Sequence, residues 1–130
     1  MNVQPYLFFD GRCDEALDFY KESLGATVDM LMRFKDSPDQ SMVTPESREK
    51  VMHCSFRVGD SVVLASDGQC NGKPTFQGVA LVINAKDDAE AERVFGALGE
   101  SGQVQMPITE TFFASRFGMV ADKFGTNWMV

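Results

Sequence analysis

His53 is the only histidine in the chain, and imidazole is the one side chain whose unperturbed titration falls near neutral pH. It can act as a general base or orient a carboxylate or phosphate, and it can equally serve as a structural hydrogen-bond partner across a sheet. No carboxylate spaced to orient it stands near it in sequence. In Met52-His53-Cys54-Ser55-Phe56-Arg57, strand alternation puts His53, Ser55 and Arg57 on one face and Met52, Cys54 and Phe56 on the other. A polar trio of that kind suits a polar or anionic ligand. Gln4, Tyr6 and Phe8 share a face in the same way, as do Asn127 and Met129, with Trp128 and Val130 opposite. Such aromatics can line a site or simply fill a core. Arg116, just before Phe117-Gly118, can capture an anion or stay solvated. The candidate ligand-binding set is thus Gln4, Tyr6, Phe8, His53, Arg57, Arg116 and Met129, with His53 the candidate catalytic residue.

Other reactive groups read as structural. Asp67 and Asp122 are each followed by glycine one or three residues later, the pattern of turn-capping aspartates rather than of a catalytic dyad. Cys13, Cys54 and Cys70 are an odd set without CxxC spacing, which suggests reduced thiols and neither a disulfide framework nor a zinc knuckle. The eight methionines, Met30, Met32 and Met106 among them, can form an adaptable apolar pocket or fill gaps in a core.

The elements that position these residues repeat. Val3–Phe9 is short, aromatic and closed by Asp10-Gly11, as expected of a strand, and Pro5 places it at an edge or seam. From Cys13, the apolar residues Ala16, Leu17, Tyr20 and Leu24 form a helical stripe that Gly25 terminates. Thr27–Phe34 predicts a second strand, and Ser37–Lys50 a polar surface loop with two prolines. Val51–Val58 and Ser61–Ser66 form a hairpin through Gly59-Asp60. The order βαβββ then recurs: strand Gly78–Ile83, helix Asp87–Leu98 ended by Gly99 or Gly102, and strands Val104–Thr109, Phe117–Ala121 and Thr126–Val130. One helix for four strands in each half gives an α+β class, not a parallel α/β sheet. The expected organisation is one domain over 1–130, with module one at 1–67, a linker at 68–77 and module two at 78–130.

Composition narrows the function. With 44% hydrophobic and 24% charged residues, the 130-residue chain has the balance of a globular protein. A net charge of −7 works against binding a phosphate backbone, so nucleic acid is not an expected partner. No stretch approaches the roughly 20 apolar residues that cross a bilayer, and the start lacks a basic n-region with a long apolar core, so a cytoplasmic location away from membranes is expected.

Several motifs carry a family resemblance: Pro5-Tyr6-Leu7-Phe8-Phe9 with Gly11; Glu15-Ala16-Leu17-Asp18-Phe19-Tyr20; the stretch from Met52-His53-Cys54 to Ser66-Asp67; and Phe117-Gly118-Met119-Val120-Ala121-Asp122-Lys123-Phe124-Gly125-Thr126-Asn127-Trp128. Together they resemble PhnB-like members of the vicinal-oxygen-chelate superfamily, the fold of glyoxalases, bleomycin-resistance proteins and extradiol dioxygenases. The resemblance runs the whole chain. It implies two βαβββ modules forming a U-shaped eight-stranded cup with one helix per module, usually dimeric, with a small-molecule or metal site inside.

Members of the superfamily isomerise, epimerise, open rings or epoxides, or only sequester a drug, so the fold leaves the reaction open. PhnB-like sequences also carry a quinone-methyltransferase label, which has little weight here because the sequence lacks a glycine-rich strand-to-helix fingerprint. Metal-dependent members place a ligand on the first, fourth, fifth and eighth strands. Carried over, those positions are Gln4, Val63 or Leu64, Gly78 and Met129, and neighbouring residues add only a Gln4/Gln77 pair. Gln4 alone offers an oxygen donor there, and a thioether is a poor partner for Mg²⁺, Mn²⁺ or Zn²⁺. The expected protein is therefore a homodimer without a cofactor that binds a small polar or anionic metabolite or drug in the cup. The alternatives are a lyase- or isomerase-type enzyme using His53 or a recruited divalent metal, and a ligand-free structural homodimer.

Overall fold

An apolar stripe on each helix, packed on one face of a sheet, organises both halves of the chain. In the computed structural model, which describes residues 1–41, 43–68 and 73–130, the chain divides into two compact units, Met1–Pro74 and Thr75–Val130. The first contains β1 (Tyr6–Phe8), α1 (Cys13–Leu24), β2 (Thr27–Arg33), a 3-10 turn at Phe34–Asp36, β3 (Val51–Val58) and β4 (Ser61–Ser66). The second contains β5 (Leu81–Val82), α2 (Asp88–Leu98), β6 (Gln103–Thr109), β7 (Phe117–Ala121) and β8 (Asn127–Met129). The sheets run β1-β4-β3-β2 and β5-β8-β7-β6. In each, the first strand is parallel to the last and the other neighbours are antiparallel. The βαβββ order is thus present twice, in an α+β fold.

In the first unit, α1 buries Cys13, Ala16, Leu17 and Tyr20, and the sheet presents Leu7, Phe9, Cys54, Phe56, Val63 and Ala65, all buried. Tyr20 is the hub: its ring lies 5.9 Å from that of Phe56 and 6.1 Å from that of Phe9. Gly25 ends the helix in the left-handed region (φ 68°), with its N–H and that of Ala26 satisfying the Lys21 and Tyr20 carbonyls. At the other end Arg12 provides no side-chain cap. Asp67, fully buried, fills that role: its Oδ1 accepts from Gly11 N–H at 2.9 Å and Cys13 N–H at 2.8 Å, while its Oδ2 accepts from Val51 N–H at 2.7 Å. The expected local turn cap is therefore a long-range clamp that joins the N-terminus of α1 to the start of β3.

In the second unit, α2 buries Ala91, Val94, Phe95 and Leu98. Asp87, expected as the first helical residue, is instead its N-cap and accepts from Glu90 N–H at 2.8 Å. Asp122 does cap its own turn, accepting from Phe124 N–H (2.9 Å) and Thr126 N–H (3.1 Å), and it also takes the Trp128 indole N–H at 2.9 Å. That last bond explains how a nearly fully buried indole keeps its donor satisfied.

Several strands are shorter than the pattern predicts. β1 was expected over Val3–Phe9, yet its ladder begins only at Tyr6, after Pro5, which has no N–H to give. β5 was expected over Gly78–Ile83 and spans Leu81–Val82. There Gly78 adopts φ 75°, and the Asn127 side-chain amide takes the Phe76 and Val79 carbonyls. β2 stops at Arg33 because Phe34 starts the 3-10 turn, and β8 loses one residue at each end of the expected Thr126–Val130. β3, β4 and β7 have the expected bounds. The linker residues 69–72, with Cys70 among them, and Met42 in the polar loop lie outside the described residues.

Candidate functional site

The face of the first sheet opposite α1 gathers the chemistry-bearing residues of that unit. Register places Tyr6 beside Leu64, Leu64 beside Ser55, Ser55 beside Met30, and His53 beside Met32. Tyr6 and His53 lie on strands separated by β4, and their side chains reach across it. Tyr6 Oη and His53 Nδ1 are hydrogen-bonded at 3.0 Å, with the rings stacked at 5.6 Å. Phe8 extends the cluster, its ring 4.8 Å from that of Tyr6. Tyr6, Phe8 and Met30 are all exposed at 37%, 52% and 41%, so this face offers apolar surface around a polar pair.

Arg57 lies on the same face as His53 but is already engaged. Its Nε donates to both carboxylate oxygens of Asp29, at 2.9 and 3.2 Å. Asp29 is the extra residue of a bulge between Val28 and Met30, and such a bulge re-aims a side chain along the sheet. The sequence reading missed Asp29 because periodicity alone does not reveal a bulge. Gln4 lies before β1 and is exposed.

Arg116 and Met129 belong to the second unit. Arg116 Nε donates to Glu92 at 2.9 Å and its guanidinium lies 3.9 Å from Asp88. Glu92 first, then Asp88, holds its pKa above the usual guanidinium range. It lines a cavity of about 480 Å³ whose wall includes Ile83, Lys86, Asp88, Phe113 and Phe117. All its lining residues are in the second unit, so this cavity is distinct from the Tyr6–His53 cluster. Met129 is half-buried on β8, opposite Met119. The structure thus brings Tyr6, Phe8, His53 and Arg57 onto one sheet face, whereas Arg116 sits in a separate cavity wall.

The donor set is a poor fit to a metal. Val63 is buried, Leu64 has no donor, Gly78 lies outside β5, and Met129 offers only a thioether. Among the described residues, no group of three or more His, Cys, Asp or Glu side chains is arranged to hold a metal ion.

Comparison with known proteins agrees with this architecture. A family model described as 3-demethylubiquinone-9 3-methyltransferase matches residues 1–130. Protein YjdN of Escherichia coli (strain K12) is 33% identical over 138 residues, covering 100% of this chain and 94% of that protein. The crystal structure of protein PA1353 from Pseudomonas aeruginosa superposes with a TM-score of 0.87 at 40% identity, covering 100% of this chain and 96% of that one. The PhnB protein from Bacillus cereus shares the fold at a TM-score of 0.82 and 24% identity, covering 99% and 97%. A glyoxalase-related enzyme from Fulvimarina pelagi shares it at 0.59 and 18%, covering 99% and 86%. The duplicated βαβββ fold is that of the vicinal-oxygen-chelate superfamily. Within it, the chain belongs to the PhnB-like family whose model carries the 3-demethylubiquinone-9 3-methyltransferase description.

Proposed function

We propose that the chain binds a small polar or anionic molecule, a metabolite or drug, on the open face of the first sheet around Tyr6 and His53, without a metal ion. The observation that carries this reading is the exposed Tyr6–His53 hydrogen bond of 3.0 Å, framed by Phe8. With Nδ1 committed to Tyr6, Nε2 is the ring atom left for a ligand. If Tyr6 donates to Nδ1, Nε2 carries the proton and donates; in the other tautomer Nε2 accepts and the Tyr6 hydroxyl keeps its proton to give. An anion selects the first arrangement or the imidazolium. Phe8, Met30 and Met32 would cover the apolar body of the ligand, and Asp29 keeps Arg57 from adding net positive charge.

The same pair supports a second reading, an isomerase- or lyase-type enzyme in which Tyr6 orients His53 as the base. The family description names methyl transfer, yet the turn after β1 has its Gly11 and Cys13 amides bound by Asp67. With those two amides held by a carboxylate of the chain itself, they do not offer the anion cradle that a nucleotide-type cofactor takes at a helix start. We take the working assembly as a cytoplasmic homodimer, the commonest closed oligomer, and light scattering at twice the 14.4 kDa chain mass would support it. Neither nucleic acid nor membrane is a proposed partner, and no helix among the described residues is long and apolar enough to cross a membrane.

The test is calorimetric titration of inorganic phosphate, citrate and bleomycin into the wild-type protein, Tyr6→Phe and His53→Gln. Binding to the wild type that weakens tenfold or more in both variants supports the proposal. Equal binding by all three proteins, or by none, counts against it, and turnover lost in His53→Gln favours the enzymatic reading.

A further inference from the structure

Cys13 opens α1 and Cys54 lies in the middle of β3, 41 residues away in sequence, yet their Sγ atoms are 3.8 Å apart. Both are free thiols and both are fully buried. We propose that this pair is a dormant redox couple, which a peroxide-class oxidant converts to a disulfide that staples the first turn of α1 to the first sheet. A disulfide bond is about 2.05 Å long, so closure needs each sulfur to move about 0.9 Å. In this proposal that movement is rotation of the two side chains.

The chemistry balances with one equivalent of peroxide. A thiolate attacks one peroxide oxygen, the O–O bond breaks and hydroxide leaves, giving a sulfenic acid. The second thiolate attacks that sulfur, the S–O bond breaks and the S–S bond forms. Two sulfurs are oxidised, the peroxide is reduced, and the two thiol protons end in two molecules of water.

The surroundings keep the couple reduced while the core is closed. The hydrogen bond with Cys54, then burial, then the negative charge of Cys54, Asp67 and Asp14 push the Cys13 thiol well above its usual range. The same hydrogen bond draws the Cys54 thiol below its usual range, against the opposing effect of burial, so it is the burial of both sulfurs that denies an oxidant access until the core opens locally. The first turn of α1 is the element to lift, since Asp67 is its clamp and Cys13 sits directly at that clamp. Oxidation should then report on opening of this turn.

The test uses the full chain with Cys70→Ser, which removes the third thiol, incubated with hydrogen peroxide in buffer and in 2 M urea. The expected product is 2 Da lighter, has no titratable thiol after denaturation, and yields a Cys13–Cys54 linked peptide that dithiothreitol releases. It should form faster in urea. Gains of 16, 32 or 48 Da, intermolecular disulfides, or two free thiols surviving the urea incubation would overturn the proposal. Peptide mapping of the wild-type protein provides the same readout should Cys70→Ser fold poorly, with a Cys13–Cys54 link expected and a Cys70 link contradicting it.

Discussion

Replacing Asp67 with alanine removes one carboxylate and strands three backbone donors, those of Gly11, Cys13 and Val51, bound at 2.9, 2.8 and 2.7 Å. Each is a charge-assisted bond worth about 1.5–3 kcal/mol. Against their sum stands the several kcal/mol regained by no longer burying an ion. The net expectation is a loss of about 3–4 kcal/mol. In urea, with m near 1.5 kcal/mol/M for a domain of this size, the midpoint should fall by about 2–3 M at unchanged slope. Asp67→Asn keeps an oxygen for Gly11 and Cys13 but turns an NH₂ group toward Val51 N–H, so it should lose about half as much. Equilibrium urea unfolding followed by far-UV circular dichroism measures both. The reasoning fails if Asp67→Ala costs less than about 1 kcal/mol, or if the asparagine variant is the more damaged of the two.

Three further predictions concern the supports of the two units. A Cβ at Gly118 would lie 2.6 Å from Phe95 Cε2 and 2.9 Å from Ile108 Cα, so Gly118→Ala should cost about 1–3 kcal/mol; an unchanged Tm would contradict this. Trp128→Phe keeps the buried ring but removes the donor to Asp122 Oδ2, an expected loss of about 1–3 kcal/mol by chemical denaturation, whereas a neutral result would mean the indole bond contributes nothing. Arg57→Gln breaks only the half-exposed pair with Asp29, and should change stability by less than about 1 kcal/mol, with the difference vanishing in 1 M salt.

The sequence carries the strands whose faces differ most in polarity. β3 and β4 read cleanly because Cys54, Phe56, Val63 and Ala65 alternate with exposed or half-buried residues, and because Gly59-Asp60 marks the hairpin. β5 is poorly legible: its apolar run Val79–Ile83 implies a longer strand, while the carbonyls of Phe76 and Val79 are taken by a side chain 48 or more residues away. The alternation of His53, Ser55 and Arg57 was readable, but their partners were not. Tyr6 and Asp29 reach His53 and Arg57 only through strand register and a bulge, over 47 and 28 residues. Asp67 illustrates the same limit, since its glycine neighbour suggests a local turn and its three donors lie elsewhere in the chain. Cys13 and Cys54 likewise carry no spacing motif, because a helix start and a mid-strand position meet only after the sheet and helix pack.

The most direct test of the binding proposal is an NMR titration of the labelled protein with inorganic phosphate and with citrate, following the His53 ring nitrogens and the backbone amides of both units. The account predicts saturable shifts at His53 Nε2 and at the amides of Tyr6, Phe8 and Ser55, lost in Tyr6→Phe. Shifts confined to Lys86, Asp88 and Arg116 around the second-unit cavity, with His53 unmoved, would contradict it.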